Sequence, residues 1–208
     1  MSLSSGARAL AGVIALAAAA SLGLQAYASL VLVMAKGQGP LAALWAMLAY
    51  FTILINLLVL GVTSIAALGG RVTAAWWAAT TLFIAVVGLV HHLLLRGEFA
   101  LEGWAKVADI GLHDVTPLLM AAFWLTCAPK AGLAFSHAAA WLAYPLGYCA
   151  YALVRGAATQ AYPYPFIDAG RLGLGGALLN AAGLSVAFLV LGCLLVALAR
   201  VLAPRPAA

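Results

Sequence analysis

Charge is what this chain lacks most. Only 7% of its 208 residues are charged, and the acids number five: Glu98, Glu102, Asp109, Asp114 and Asp168. Average domains carry about 25% charged residues. Here 67% of the residues are hydrophobic, and long apolar stretches carry charge only toward their ends. That excludes an ordinary soluble domain and points to transmembrane helices. The ten Lys and Arg give a formal charge of +5, but they are scattered singly. They read as anchors at the membrane interface, so no nucleic-acid partner is expected. The three cysteines, Cys127, Cys149 and Cys193, fall one to a predicted helix. That spacing excludes a disulfide framework and a cysteine metal site, and no metal or cofactor is expected. The signatures G-x-S-x-G, H-E-x-x-H, G-x-x-x-x-G-K-[ST] and G-x-G-x-x-G are all absent, which removes four soluble enzyme classes. No alternation is long enough for a barrel, and no internal repeat suggests a transporter of inverted halves.

What is present is six apolar runs separated by Gly, Pro or charged turns, at about 8–34, 41–68, 73–95, 104–127, 136–156 and 176–202. A span needs about 20 apolar residues. The first run continues through Val31 and Val33, beyond a signal peptide's apolar segment. The expected fold is therefore all-α: one domain, 1–208, forming an integral-membrane bundle of six transmembrane helices. Its termini share one side. Arg8, Arg71, Lys130, Arg200 and Arg205 lie on that side, and Lys36, Arg96, Lys106, Arg155 and Arg171 on the other. The count ties. Setting aside Arg155 and Lys106, which have polar neighbourhoods of their own, puts the termini in the cytoplasm.

Polar residues interrupt these runs, and ionisable groups at membrane depth are costly enough to suggest function. Asp109 and His113 are four apart, so they share a helix face, which Thr116 and Pro117 continue. Thr52 and Asn56 are also four apart. Tyr144, Tyr148, Tyr151 and Arg155 form one stripe. Along unbroken helices Thr52 lies roughly 16 Å deep and His113 roughly 13 Å, close enough to meet. With His92 and Asn180, these faces are expected to line one cavity away from the termini. Tyr162-Pro163-Tyr164-Pro165-Phe166 could serve as its lid. Each residue also has a plainer use: Asp109 at a helix dipole, Thr52 bonded to its own backbone, Asn56 and Asn180 joining helices. His91 is expected at the lipid edge, since its neighbour His92 points elsewhere. His137 lies on the opposite side, and Asp114 has no assigned role.

A hydroxyl, an imidazole and a carboxylate are the parts of an acyl-transfer site. Histidine can take the proton that makes threonine a nucleophile, and a carboxylate one turn away can fix the imidazole. Asn56, Asn180, Tyr148 or Arg155 could donate to the oxyanion. An apolar cavity at this depth suits acyl chains, so the combination points to hydrolysis of a lipid ester.

Tyr50-Phe51-Thr52-Ile53-Leu54-Ile55-Asn56, Leu112-His113 with Pro117, Tyr144-Pro145-Leu146-Gly147-Tyr148 with Arg155-Gly156, and the Tyr-Pro-Tyr-Pro-Phe segment stand in a characteristic order. In that order and spacing the chain resembles the androgen-induced-protein and ADTRP-like family of six-helix membrane proteins, in a bacterial-looking branch that suggests a bacterial inner membrane. The resemblance runs from the second helix onward. It implies a threonine hydrolase of fatty acid esters of hydroxy fatty acids, with Thr52 and His113 as the essential pair. Asp114 stands outside the match. Two other functions compete: a haem or quinone binder using His92 and His113, and a small transporter or channel. Membrane lipids and a lipid ester are the expected partners; the oligomeric state is open.

Overall fold

The computed structural model describes residues 3–95, 97 and 101–203, all helix or loop, with no strand among them. Arg96, Glu98 and Arg205, read above as charges flanking the spans, lie outside the described residues. Three helical stretches are long and apolar enough to cross a membrane: Ser5–Met34, Ala74–Leu95 and Ala169–Leu202. A fourth arises if the bent pair Pro40–Met47 and Phe51–Ala67 counts as one span.

The chain divides into two compact units, Met1–Lys130 and Ala131–Ala208. In the first, α1 (Ser5–Met34) packs against α3 (Phe51–Ala67) and α5 (Gly103–Ile110), and α4 (Ala74–Val90) packs against α3 and α6 (Thr116–Thr126). Arg8 at the start of α1 donates from Nε and Nη2 to the Ala67 carbonyl, at 3.3 and 3.2 Å. A cation thus meets the last turn of α3, where the helix dipole favours it. Small residues let backbones approach. A Cβ on Gly111 would collide with Ser21 of α1. A Cβ on Gly88 of α4 would come within 3.0 Å of the His113 carbonyl.

Four predicted runs depart from ideal helices. The second run breaks after α2 (Pro40–Met47), and α3 leaves at 90° to it. Tyr50 is extended there, at φ −94 and ψ 130. No Pro or Gly occurs between 41 and 60 to mark the bend. Thr52 is therefore the second residue of α3, and the depth of roughly 16 Å expected along an unbroken helix does not hold. The fourth run carries a π-helical turn over Gly111–Val115, between α5 and α6. Pro117 has no N–H to offer the carbonyl four residues back, that of His113, and a π-turn accommodates such a lost bond. The end of the third run is also π-helical, over His91–Leu95.

In the second unit, α7 (Phe135–Trp141) and α8 (Ala143–Thr159) replace one predicted helix. Pro145 accounts for the interruption, because its ring conflicts with the carbonyl of Trp141. The last helix, α9 (Ala169–Leu202), begins seven residues earlier than expected and is kinked at Gly173, whose φ is +69. Gly156 lies so close to the Tyr162 ring that a Cβ there would clash.

Candidate functional site

The first unit brings Thr52, Asn56, Asp109 and His113 together. The π-turn carrying His113 is packed by α1, α3 and α4. Leu22, Ile53 and Leu112 form a buried apolar cluster beside it, with Met47 and Leu60 against them. Ile53 and Leu112 are the chain neighbours of Thr52 and His113, so this packing sets the register between the two polar residues.

Thr52 Oγ1 lies 3.2 Å from His113 Nε2. On the other edge of the ring, His113 Nδ1 lies 2.9 Å from Asp109 Oδ1 and 3.1 Å from the Asp109 carbonyl. Both of those oxygens accept, with Asp109 ionised, so Nδ1 carries the proton. In a neutral imidazole Nε2 is then bare and accepts from the threonine hydroxyl. Thr52 is 8% exposed. Asn56, fully buried, donates from Nδ2 to the Thr52 carbonyl at 2.9 Å and to the Leu112 carbonyl at 3.4 Å. It ties the backbone of the hydroxyl residue to the turn that carries the histidine. Its two donated bonds make it a tie between helices rather than an oxyanion donor.

Two histidines have partners other than those expected. His91, assigned to the lipid edge, stacks on His113 with ring centroids 4.1 Å apart and planes within 17°. Its Nε2 lies 3.5 Å from Asp109 Oδ2. His92, assigned to the cavity, instead faces Asp114, Nε2 to Oδ1 at 3.1 Å, while its Nδ1 meets the Gly88 carbonyl at 2.9 Å. That pair is more exposed, at 39% and 36% for the two side chains, and it supplies the partner that Asp114 lacked. The reason is the π-helical winding on both helices of the contact, where backbone bonds run from residue i to i+5 and bring residues five apart closer to one face, so Asp109 and Asp114 can each meet one of two adjacent histidines. The legible signal was the pattern itself: His91-His92 ending one helix, and two acids five apart on the next.

Tyr148, Arg155 and Asn180 belong to the second unit. Arg155 is buried and donates from Nη1 to Tyr151 Oη at 3.0 Å, as the stripe on α8 requires. Tyr148 meets Tyr164 edge-on, and Tyr164 stacks on Phe166. Asn180 donates to the Phe166 carbonyl at 2.9 Å. Asn180 therefore anchors the Tyr-Pro-Tyr-Pro-Phe segment to α9 through one of its two amide N–H groups.

A cleft of about 650 Å³ opens between the end of α1 and the start of α5, lined by Tyr27, Leu32, Leu101 and Trp104 among others. Its lining includes neither Thr52 nor His113.

Comparison with known proteins finds no matching family model, no significant curated relative and no significantly similar solved structure. The chemistry of the Thr52–His113–Asp109 constellation therefore carries the functional argument.

Proposed function

We propose that the protein is a membrane-embedded ester hydrolase whose nucleophile is Thr52 and whose base is His113. One observation carries this reading: the threonine hydroxyl and the Asp109 carboxylate bond opposite nitrogens of a single imidazole, at 3.2 and 2.9 Å. That is the geometry of an activated hydroxyl, with nucleophile, base and orienting acid in series.

In the reaction Thr52 Oγ attacks the ester carbonyl as its proton passes to His113 Nε2. Asp109 stabilises the imidazolium. The tetrahedral intermediate collapses, and Nε2 returns the proton to the departing alcohol. Water, deprotonated by the same nitrogen, then releases the acid from Thr52. Thr52 stands in the first turn of the 17-residue α3, and the positive end of that helix dipole favours the oxyanion.

The substrate class rests on setting and resemblance. A six-span arrangement pairs α2 with α3, α5 with α6 and α7 with α8 as single crossings, each interrupted where the sequence bends or holds proline. A pair held among such helices would meet esters in the lipid phase. The resemblance to the androgen-induced-protein and ADTRP-like family then favours fatty acid esters of hydroxy fatty acids, and a cytoplasmic placement of the termini. The haem-binding alternative loses support, because both ring nitrogens of His92 are engaged, by Gly88 and Asp114. The experiment is turnover of such an ester by purified protein in micelles. Wild type should hydrolyse it and Thr52→Ala should not; equal rates would reduce Thr52 to a packing residue.

A further inference from the structure

We propose that His91, Asp109 and His113 form a site for a divalent transition-metal ion of the zinc class, and that the ion switches the Thr52–His113 pair off. One ligand atom from each residue can be chosen so that all three lie within 4.8 Å of one another. Two imidazoles and a carboxylate are a donor set that suits zinc, cobalt, nickel or copper, and not magnesium or calcium. Ligand atoms held at about 2.0–2.1 Å in a tetrahedron are about 3.3 Å apart. His113 Nδ1 lies 2.9 Å from Asp109 Oδ1 and His91 Nε2 lies 3.5 Å from the other carboxylate oxygen, Oδ2, so each imidazole is near that distance from the carboxylate while the three ligand atoms as a set lie within 4.8 Å. The site closes when His91 leaves its stack on His113 and turns a ring edge toward the ion. His91 is in a π-helical turn and its side chain is 17% exposed, so the ring is not sealed in the core.

The consequence follows from which nitrogen is taken, and it rests on the hydrolase reading. A metal on His113 occupies the Nδ1 lone pair, so the single proton of the neutral ring moves from Nδ1 to Nε2. Nε2 then donates to Thr52 Oγ1 and can no longer accept its proton. Thr52 lies on the far edge of the ring, at Nε2, so it is not placed to join the ion. The metal therefore inhibits and does not activate.

The test uses the full chain, without a histidine tag, in detergent and stripped by chelator. Zn²⁺ is titrated by calorimetry, and Co²⁺ by its visible bands. One equivalent per chain should bind. His91→Phe keeps an aromatic ring on His113 but removes a ligand, and should weaken binding by at least about 100-fold, beyond what loss of an outer-sphere partner does. Asp109→Asn should weaken it similarly, whereas His92→Phe, which removes the bonds to Asp114 and Gly88 but keeps a ring beside His91 and takes away no ligand, should not. Zn²⁺ should abolish ester hydrolysis by the wild type, reversibly with chelator, and should not change the rate of His91→Phe, whatever that variant's metal-free rate is. No saturable binding, or equal binding by His91→Phe and wild type, overturns the proposal even if hydrolysis is robust. One-to-one binding lost in both ligand variants sustains the site even if no ester is hydrolysed, and then it is the hydrolase reading that fails.

Discussion

Asp109→Asn isolates the part of the site that orients and charges the base. The substitution keeps the shape of the side chain and removes a carboxylate 2.9 Å from His113 Nδ1. In the proposed reaction that carboxylate acts most strongly once His113 has become an imidazolium. A hydrogen bond to a charged group contributes about 1.5–3 kcal/mol, which at about 1.4 kcal/mol per decade is a loss of about 10- to 150-fold in turnover. A larger loss, near the 10⁴-fold scale on which a serine-protease base is left in the wrong tautomer, is not expected. The Asp109 backbone carbonyl, 3.1 Å from the same nitrogen, survives the substitution and still selects the Nδ1–H form. The assay is single-turnover and steady-state hydrolysis of a chromogenic acyl ester in micelles, with thermal unfolding measured alongside to establish that the variant is folded. Turnover equal to wild type would show that Asp109 does not act through His113. A loss as complete as that of Thr52→Ala would show that it does more than orient, and the division of roles would be wrong.

Other substitutions follow from the same geometry. Thr52→Ser should keep measurable hydrolysis, because the hydroxyl remains near His113 Nε2, whereas Thr52→Ala and His113→Ala should each nearly abolish it. The double alanine variant should be little worse than either, since residues acting as one unit are not additive; a multiplicative loss in kcat would contradict the pairing. Asn56→Ala removes bonds to the Thr52 and Leu112 carbonyls inside the core and should destabilise by about 1–3 kcal/mol, read as a lower melting temperature. Gly88→Ala places a methyl 3.0 Å from the His113 carbonyl and should lower turnover more than stability, by displacing the turn that carries the base.

The helical class was legible because apolar runs of span length leave few alternatives, and Thr52 and His113 stood out by residue type, although the depth reckoned for Thr52 along an unbroken helix did not hold. The details were not, and the reasons are local. A 90° bend at 48–50 has no Pro or Gly to announce it. Ideal helical winding turns His91 toward the lipid edge and His92 toward the cavity, and the π-helical winding gives them other partners. Pro117, four residues after His113, was the available warning, because its missing N–H disturbs the turn on which the base sits. Asn180 was read for its amide alone, and its bond to the Phe166 carbonyl depends on a loop conformation that periodicity does not encode.

The central claim is that Thr52 is a nucleophile activated by His113, and covalent capture tests it most directly. The purified protein is treated with a fluorophosphonate probe, digested, and the modified residue mapped by mass spectrometry. One adduct is expected, on Thr52, and it should be lost in His113→Ala while the protein remains folded. An adduct on another residue, or hydrolysis that persists with Thr52 unlabelled and replaced by alanine, would contradict it.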